Sequence, residues 1–253
     1  AGPLGARAAD DLETVLADAD LAVVTTPASC HHQYARAVLS GGLHAYVEKP
    51  LATTLEHAGE LIGLAARGDR VLACGHQERA VFAAIGLLSL PERPLRLEAV
   101  RRNPPSARNL DVSCVLDLMV HDLDLALLLS GAEPIAVEGQ GTEDAVEAEV
   151  TFANGLDARF DAARNADRLE RRMTLFYPSG EVDIDFVART FRNTTSFALD
   201  AAFADTAIGR DPLGASLGAF LAAVRGGGRP LATGEEAAAA LDLALAVEHA
   251  AGF

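Results

Sequence analysis

Apolar residues in the first third of the chain come in short runs separated by helical stretches. Residues 21–25 (LAVVT) read as a buried strand, 31–40 as a helix stopped by Gly41-Gly42, and 43–47 (LHAYV) as a second strand. Residues 54–67 read as a helix and 71–74 as a third strand. Strands alternating with helices over short connections predict a parallel sheet covered by helices. Past about residue 95 the rhythm changes. One long helix is expected over 113–130, and period-two alternation follows it. Val146, Ala148, Val150 and Phe152 are apolar, then Leu156, Ala158, Phe160 and Ala162. Asn154-Gly155 between these runs is a hairpin signal. Residues 173–177 and 182–186 repeat the alternation around Pro178-Ser179-Gly180. This predicts an antiparallel sheet with one face under helix 113–130. The other face carries Glu147, Glu149, Thr151, Asp157, Arg159 and Asp161, and should meet solvent or a second copy of the chain. Helices over 213–225 and 235–249 close the sequence around Gly226-Gly227-Gly228. The expected class is α/β followed by α+β.

Composition narrows the classes of function. The 253 residues carry a formal charge of −15 and are half hydrophobic, which excludes wholesale disorder and fits one large or two modest domains. So acidic a chain is a poor binder of nucleic acid or anionic membrane, although a local basic pocket for one small anion is compatible with it. Cys30, Cys74 and Cys114 are too few and scattered for a disulfide framework and read as free thiols in a reducing cytoplasm. No apolar run approaches the ~18 residues of a membrane span. The start shows neither a secretory signal nor an initiator Met, so a processed, tagged or incomplete chain is expected.

Three segments could carry chemistry. On an ideal helix at about 100° per residue, Asp117, His121 and Asp124 fall on one narrow polar face, with Leu118, Met119, Val120, Leu123, Leu125 and Leu127 around the rest. A helix apolar nearly all round is buried, so its polar stripe must line a cleft or be paired. An imidazole beside carboxylates suits general acid/base work, and a satisfied buried Asp–His hydrogen bond is the structural alternative. Val47-Glu48-Lys49-Pro50-Leu51-Ala52 sits at the carboxyl end of a predicted parallel strand, where open α/β sheets bind ligands. There Glu48 is expected to hold Lys49, with a solvated surface ion pair as the alternative. Thr25-Thr26-Pro27-Ala28-Ser29-Cys30-His31-His32 is a second strand exit opening a helix, either a seat for an anion or ribose or a simple helix cap. Adjacent Cys30, His31 and His32 side chains diverge on a helix, so no metal is expected. Gly139-Gln140-Gly141-Thr142-Glu143-Asp144 begins like a dinucleotide fingerprint but leads into a strand, and is expected to be a sheet loop.

Taken together and in order, Thr25-Thr26-Pro27-x-x-x-His31, Glu48-Lys49-Pro50-Leu51-Ala52, Gly75-His76-Gln77-Glu78-Arg79 and Asp117-x-x-x-His121-x-x-Asp124 resemble the Gfo/Idh/MocA oxidoreductase family across essentially the whole chain. The last two motifs look most like its sub-branch of UDP-N-acetylglucosamine 3-dehydrogenases. The resemblance implies a doubly wound Rossmann domain binding NAD or NADP over residues 1–77. It implies a predominantly antiparallel substrate and oligomerisation domain, with helices on one face, over 78–253. The substrate implied is a sugar or nucleotide sugar. By the same resemblance Lys49, His121 and Asp117 are the catalytic residues. Lys49 touches nicotinamide ribose and substrate hydroxyl, His121 is the acid/base, and Asp117 orients the sugar. Thr26, Pro27, His31, Glu48, Lys49 and Gln77 are cofactor-side positions. Arg79, with Asp117 and His121, faces the substrate, Arg79 holding its anionic part. A cyclitol dehydrogenase, or a non-catalytic binding relative, is the alternative.

Three departures from the family stand out. Ala28 replaces the usual Asn, and Ala80 the usual Phe, for which Phe82 could substitute. The opening strand, glycine-rich turn and helix have no counterpart. A βαβ unit takes about 30 or more residues, so on the order of 50–60 are expected upstream. Residues 11–20 would then belong to the middle of the nucleotide domain. The residue choosing NAD or NADP would lie upstream as well. Without the turn that cradles the pyrophosphate, the 253-residue chain alone is expected to bind NAD(P) weakly and to lack activity.

Overall fold

The computed structural model describes residues 5–106 and 110–253. A short helix, α1 (Leu12–Ala17), leads to the strand β1 (Leu21–Val24), followed by α2 (His31–Ser40), β2 (His44–Val47), α3 (Leu55–Gly68) and β3 (Leu72–Cys74). The three strands are parallel in the order β1-β2-β3. Alternation along each strand sends Val24, Ala45, Val47, Leu72 and Cys74 into the core shared with α2 and α3. Tyr46 and Ala73 point to the opposite face, where Phe220 of α7 (Pro212–Val224) packs on Tyr46 and Ser216 accepts its hydroxyl hydrogen bond at 3.0 Å.

After α4 (Glu78–Ile85), a second sheet begins with β4 (Arg96–Arg102). A wide π turn over Val115–Met119 runs into α5 (Val120–Ser130). Strands β5 (Pro134–Thr142), β6 (Ala145–Phe152), β7 (Asp157–Ala163), β8 (Glu170–Tyr177), β9 (Gly180–Asp185) and β10 (Thr190–Asn193) complete the sheet. Its order is β10-β9-β8-β4-β7-β6-β5, antiparallel except for the parallel β4–β7 pair. A short helix, α6 (Ala207–Arg210), precedes α7, and α8 (Gly234–Ala251) ends the chain.

Helix α8 lies on β5 and β6 and the π turn on β4 and β7, with α5 packed against α8, and this layer buries Val146, Ala148, Val150, Phe152 and Phe160 of the inner face. The outer face exposes Glu147, Glu149 and Arg159, as their alternation requires.

Two expectations are corrected here. The helix expected over 113–130 is continuous from Cys114 to Ser130, but it is not regular throughout, widening to π geometry at Val115–Met119. Gly139-Gln140-Gly141 lies within β5 and not in a loop. A Cβ on Gly139 would stand 3.0 Å from the Val247 carbonyl oxygen and 3.1 Å from the Ala251 nitrogen. The glycine admits α8 against the strand, a contact between distant segments.

The C-terminal segment also returns to the first sheet. Ala73 and Thr233 form an antiparallel bridge, and the Cys74 N–H donates to the Ala232 carbonyl at 3.1 Å. Thr233 then starts α8 with a reciprocal capping box closed by Glu236.

Candidate active site

Strand β2 delivers Glu48 and Lys49 to the edge of a cleft of about 400 Å³. Lys49 is the only lysine among the 253 residues. Its ammonium donates to the main-chain carbonyl of Asp117 and lies 3.2 Å from Asp117 Oδ1. Asp117 sits inside the π turn, an irregularity that often marks functional sites in helices. Lys49 therefore reaches Asp117, not the neighbouring Glu48 that the sequence suggests. The Glu48 carboxylate is instead packed under Gly75, where a Cβ would stand 2.6 Å from Oε2. Burial raises the Glu48 pKa, against the pull of Lys49.

His121 lies one turn further along α5 and lines the same cleft, with Gln77 on the facing wall. Its Nδ1 is 3.0 Å from Glu78 Oε2, though neither atom has an aligned hydrogen-bond partner among the described residues. The other Glu78 oxygen accepts from Arg101 at 2.8 Å, and Arg101 forms a two-pronged pair with Asp122, 2.8 Å on each prong. Period two turns Arg101 inward with Leu97 and Ala99, where a buried guanidinium must be paired. Burial alone would raise the Glu78 pKa, but Arg101 and His121 more than offset it and hold Glu78 well below the ordinary range. Burial pushes His121 down to about 4, with Glu78 opposing and Lys49 assisting. At neutral pH the ring is uncharged and can accept a proton.

Arg79 and Asp124 occupy other places than the sequence implies. The Arg79 guanidinium is 4% exposed and clasped by Asp124, by Glu236 at 2.8 Å and by the Leu231 carbonyl at 2.9 Å. Its charge is spent joining α4, α5 and α8, leaving none for a substrate. Asp124 thus leaves the stripe shared by Asp117 and His121. His76, also buried, stands 3.6 Å from Asp124 and sets its ring edge-on to His121 at 6.4 Å.

A second cavity, of about 310 Å³, opens at the ends of β1 and β2 and shares Glu48, Lys49 and Asp117 with the cleft. Thr25 and Thr26 line it, and Thr26 Oγ1 is buried without a hydrogen-bond partner among the described residues. The His31 ring spans the two strand exits, Nδ1 lying 2.7 Å from the Pro50 carbonyl oxygen and Nε2 2.9 Å from that of Thr26. Pro27 is exposed at the start of the following turn. Sequence spacing does not single out Glu78, Arg101, Asn103, Arg164 or Arg171, all of which face the cleft or support it. The uniqueness of Lys49 and the mid-strand charge of Arg101 are the signals that could have found the site's core.

The profile of the oxidoreductase family with the NAD-binding Rossmann fold matches residues 1–76. The UDP-N-acetylglucosamine 3-dehydrogenase of Acidithiobacillus ferrooxidans is 37% identical over 75% of this chain, a match spanning 63% of that enzyme's length. The 1,5-anhydro-D-fructose reductase of Ensifer adhaerens is 30% identical over 92% of the chain and 78% of its own length. A solved structure of the Acidithiobacillus enzyme superimposes with a TM-score of 0.87 at 33% identity, covering 96% of this chain and 82% of that one. The WlbA dehydrogenase of Bordetella pertussis, solved with NADH and UDP-GlcNAcA, shares the fold at a TM-score of 0.84 and 20% identity, over 98% and 82% of the two chains. The chain belongs to the Gfo/Idh/MocA family of NAD-binding Rossmann-fold oxidoreductases.

Proposed function

We propose that this protein is an NAD(P)-dependent dehydrogenase that oxidises a secondary alcohol of a sugar or nucleotide sugar, or runs the reverse reduction. The observation carrying this reading is the position of Lys49 and Asp117 on the wall common to two cavities, with His121 on one side and the threonines on the other. Residues 1–77 form the NAD(P) part and residues 78–253 the substrate and oligomerisation part in this reading. The segment around 231–233 and α7 lend the first part a β-bridge and a covering helix.

The threonine-lined cavity fits the ribose and nicotinamide end of a dinucleotide. Thr26 Oγ1 is a buried hydroxyl in need of a partner, and Glu48 is an acceptor suited to ribose hydroxyls. Thr26, Glu48 and Lys49 would hold that end. The bound nicotinamide supplies the hydride acceptor, and the protein supplies orientation and proton handling. His121, neutral at pH 7, takes the hydroxyl proton on Nε2 as the alcohol is oxidised. Lys49 stabilises the negative charge developing on that oxygen, and Asp117 fixes the ammonium where the charge appears.

The test is absorbance of the reduced nicotinamide with the full-length protein over nucleotide sugars, free sugars and inositols. Turnover of a sugar or nucleotide sugar is expected, with Lys49→Ala and His121→Asn each lowering kcat by about 100-fold or more. No turnover on these classes, or full rate in His121→Asn, would refute the reading. A homo-oligomer through the outer sheet face accompanies it, and a strict monomer in light scattering at high concentration would remove that part.

A further inference from the structure

Arg171 opens β8 directly opposite Arg101 on β4. Two guanidinium groups facing each other across a strand pair repel, and each needs an anion. Arg101 has Asp122 and Glu78. The Arg171 guanidinium has no ion pair among the described residues, and its Nε is buried with no hydrogen-bond partner. Burial and the nearby Arg101 both push its pKa down, and the more distant pull of Glu78, Asp122 and Asp117 only partly offsets them. In a chain of net charge −15, with so many carboxylates on hand, an arginine at a cleft wall with no carboxylate in contact is unusual.

Arg171 and Gln77 form the wall between the catalytic cleft and a neighbouring cavity of about 290 Å³. Val81, Ile184, Phe186 and Phe203 give that cavity apolar panels, and Arg189 and Arg210 stand at its margin. Its outer wall is built, not incidental. Arg189 adopts left-handed backbone at φ +57°, and its guanidinium donates to the carbonyls of Ala204 (3.1 Å) and Gly209, fastening the 203–210 segment over the cavity. The size is at the low end for small-ligand sites, enough for one planar ring system and part of its sugar.

We infer that Arg171 receives phosphoryl oxygens of an anionic sugar substrate, and that the apolar cavity beside it receives the nucleoside carried on that phosphate. The inference rests on the dehydrogenase reading only in taking the 400 Å³ cleft as the place of the sugar ring. It makes the preferred substrate a nucleoside diphosphate sugar over a free sugar or cyclitol. A neutral ligand would fill the cleft and leave Arg171 without an anion in direct contact. Arg79, which the sequence nominates for this task, is already neutralised.

Calorimetric titration of the full-length protein with UDP, uridine and free N-acetylglucosamine tests this without turnover. UDP is expected to bind at least about tenfold more tightly than uridine, as a charge-assisted pair to phosphate requires. Arg171→Gln and Arg171→Ala should each erase that advantage and leave uridine affinity unchanged. Arg159→Gln, on the outer sheet face, should change nothing. Equal affinity for UDP and uridine in the wild type overturns the inference with no variant needed. So does an unchanged UDP affinity in folded Arg171 variants, or a parallel loss of both ligands. A protein that reduces NAD with free sugars and ignores UDP overturns this inference alone. One that binds UDP through Arg171 and never reduces NAD(P) overturns the dehydrogenase reading alone.

Discussion

His121 has its proton affinity set by burial and faces, across 3.0 Å, a carboxylate that is itself clamped. Glu78 meets Nδ1 while Arg101, itself paired with Asp122, keeps Glu78 charged, so the proton-accepting Nε2 is left toward the cleft. Replacing Glu78 by Gln removes a charge that raises the His121 pKa. The acid limb of kcat/KM should move to lower pH while kcat falls at least about tenfold. Nitrogen NMR of the imidazole should show the tautomer mixture shifting, a change that a merely loosened fold would not produce. An unshifted limb and an unchanged tautomer would count against the clamp. The same burial predicts an acid-labile fold. The folded pKa near 4 lies below the ordinary 6.5, so the unfolded chain binds the proton first as pH falls. Stability contributed by neutral His121 is complete above pH 6.5 and is lost as pH falls toward 4, to the extent of about 3 kcal/mol. Urea titrations at pH 7 and pH 4.5 should show a smaller loss in His121→Asn than in wild type.

At the scale of elements, the strand exits of the first sheet are interlocked. Gly75, just past β3, lies over the Glu48 carboxylate at the end of β2. Gly75→Ala would drive a methyl group into Oε2 and should destabilise the fold by about 1–3 kcal/mol. It should also weaken NADH binding measured by fluorescence titration, whereas retained affinity would separate Glu48 from the cofactor side. Much of this layer was legible beforehand. Gly41-Gly42 marks the end of α2, and Asn154-Gly155 marks the β6–β7 hairpin, because local chemistry decides both. The π turn was not legible, since a segment apolar on nearly all sides gives periodicity no face on which to register an extra residue. The strand character of Gly139-Gln140-Gly141 depends on α8, more than 100 residues further on. Among site residues, Lys49, Asp117 and His121 converge as their motifs suggest. Arg79 does not join them, because its partners Asp124 and Glu236 come from helices that sequence spacing cannot bring together.

At the scale of the whole molecule, the last quarter of the chain fastens the two sheets to each other. Residues 231–233 bridge to β3, and α8 then runs across to β5. Both sheets should therefore unfold in one transition. Hydrogen exchange is expected to give β2 and β6 the same limiting opening free energy, and well-separated values would show independent units. Thr233→Ala, which breaks the capping box, should lower both together by about 1 kcal/mol. The charge inventory has a practical side as well. These 253 residues hold twenty arginines and a single lysine, and that lysine lies at the junction of the two cavities. Guanidinium groups ignore amine-directed reagents, so acetyl donors, activated esters and coupling resins find Lys49 as their one side-chain target here. Reductive methylation with labelled formaldehyde would place a single ε-methyl resonance at the cleft, a ready-made reporter of occupancy. Any sample of this chain immobilised or tagged through that side chain would carry its label at the place where the alcohol is meant to react.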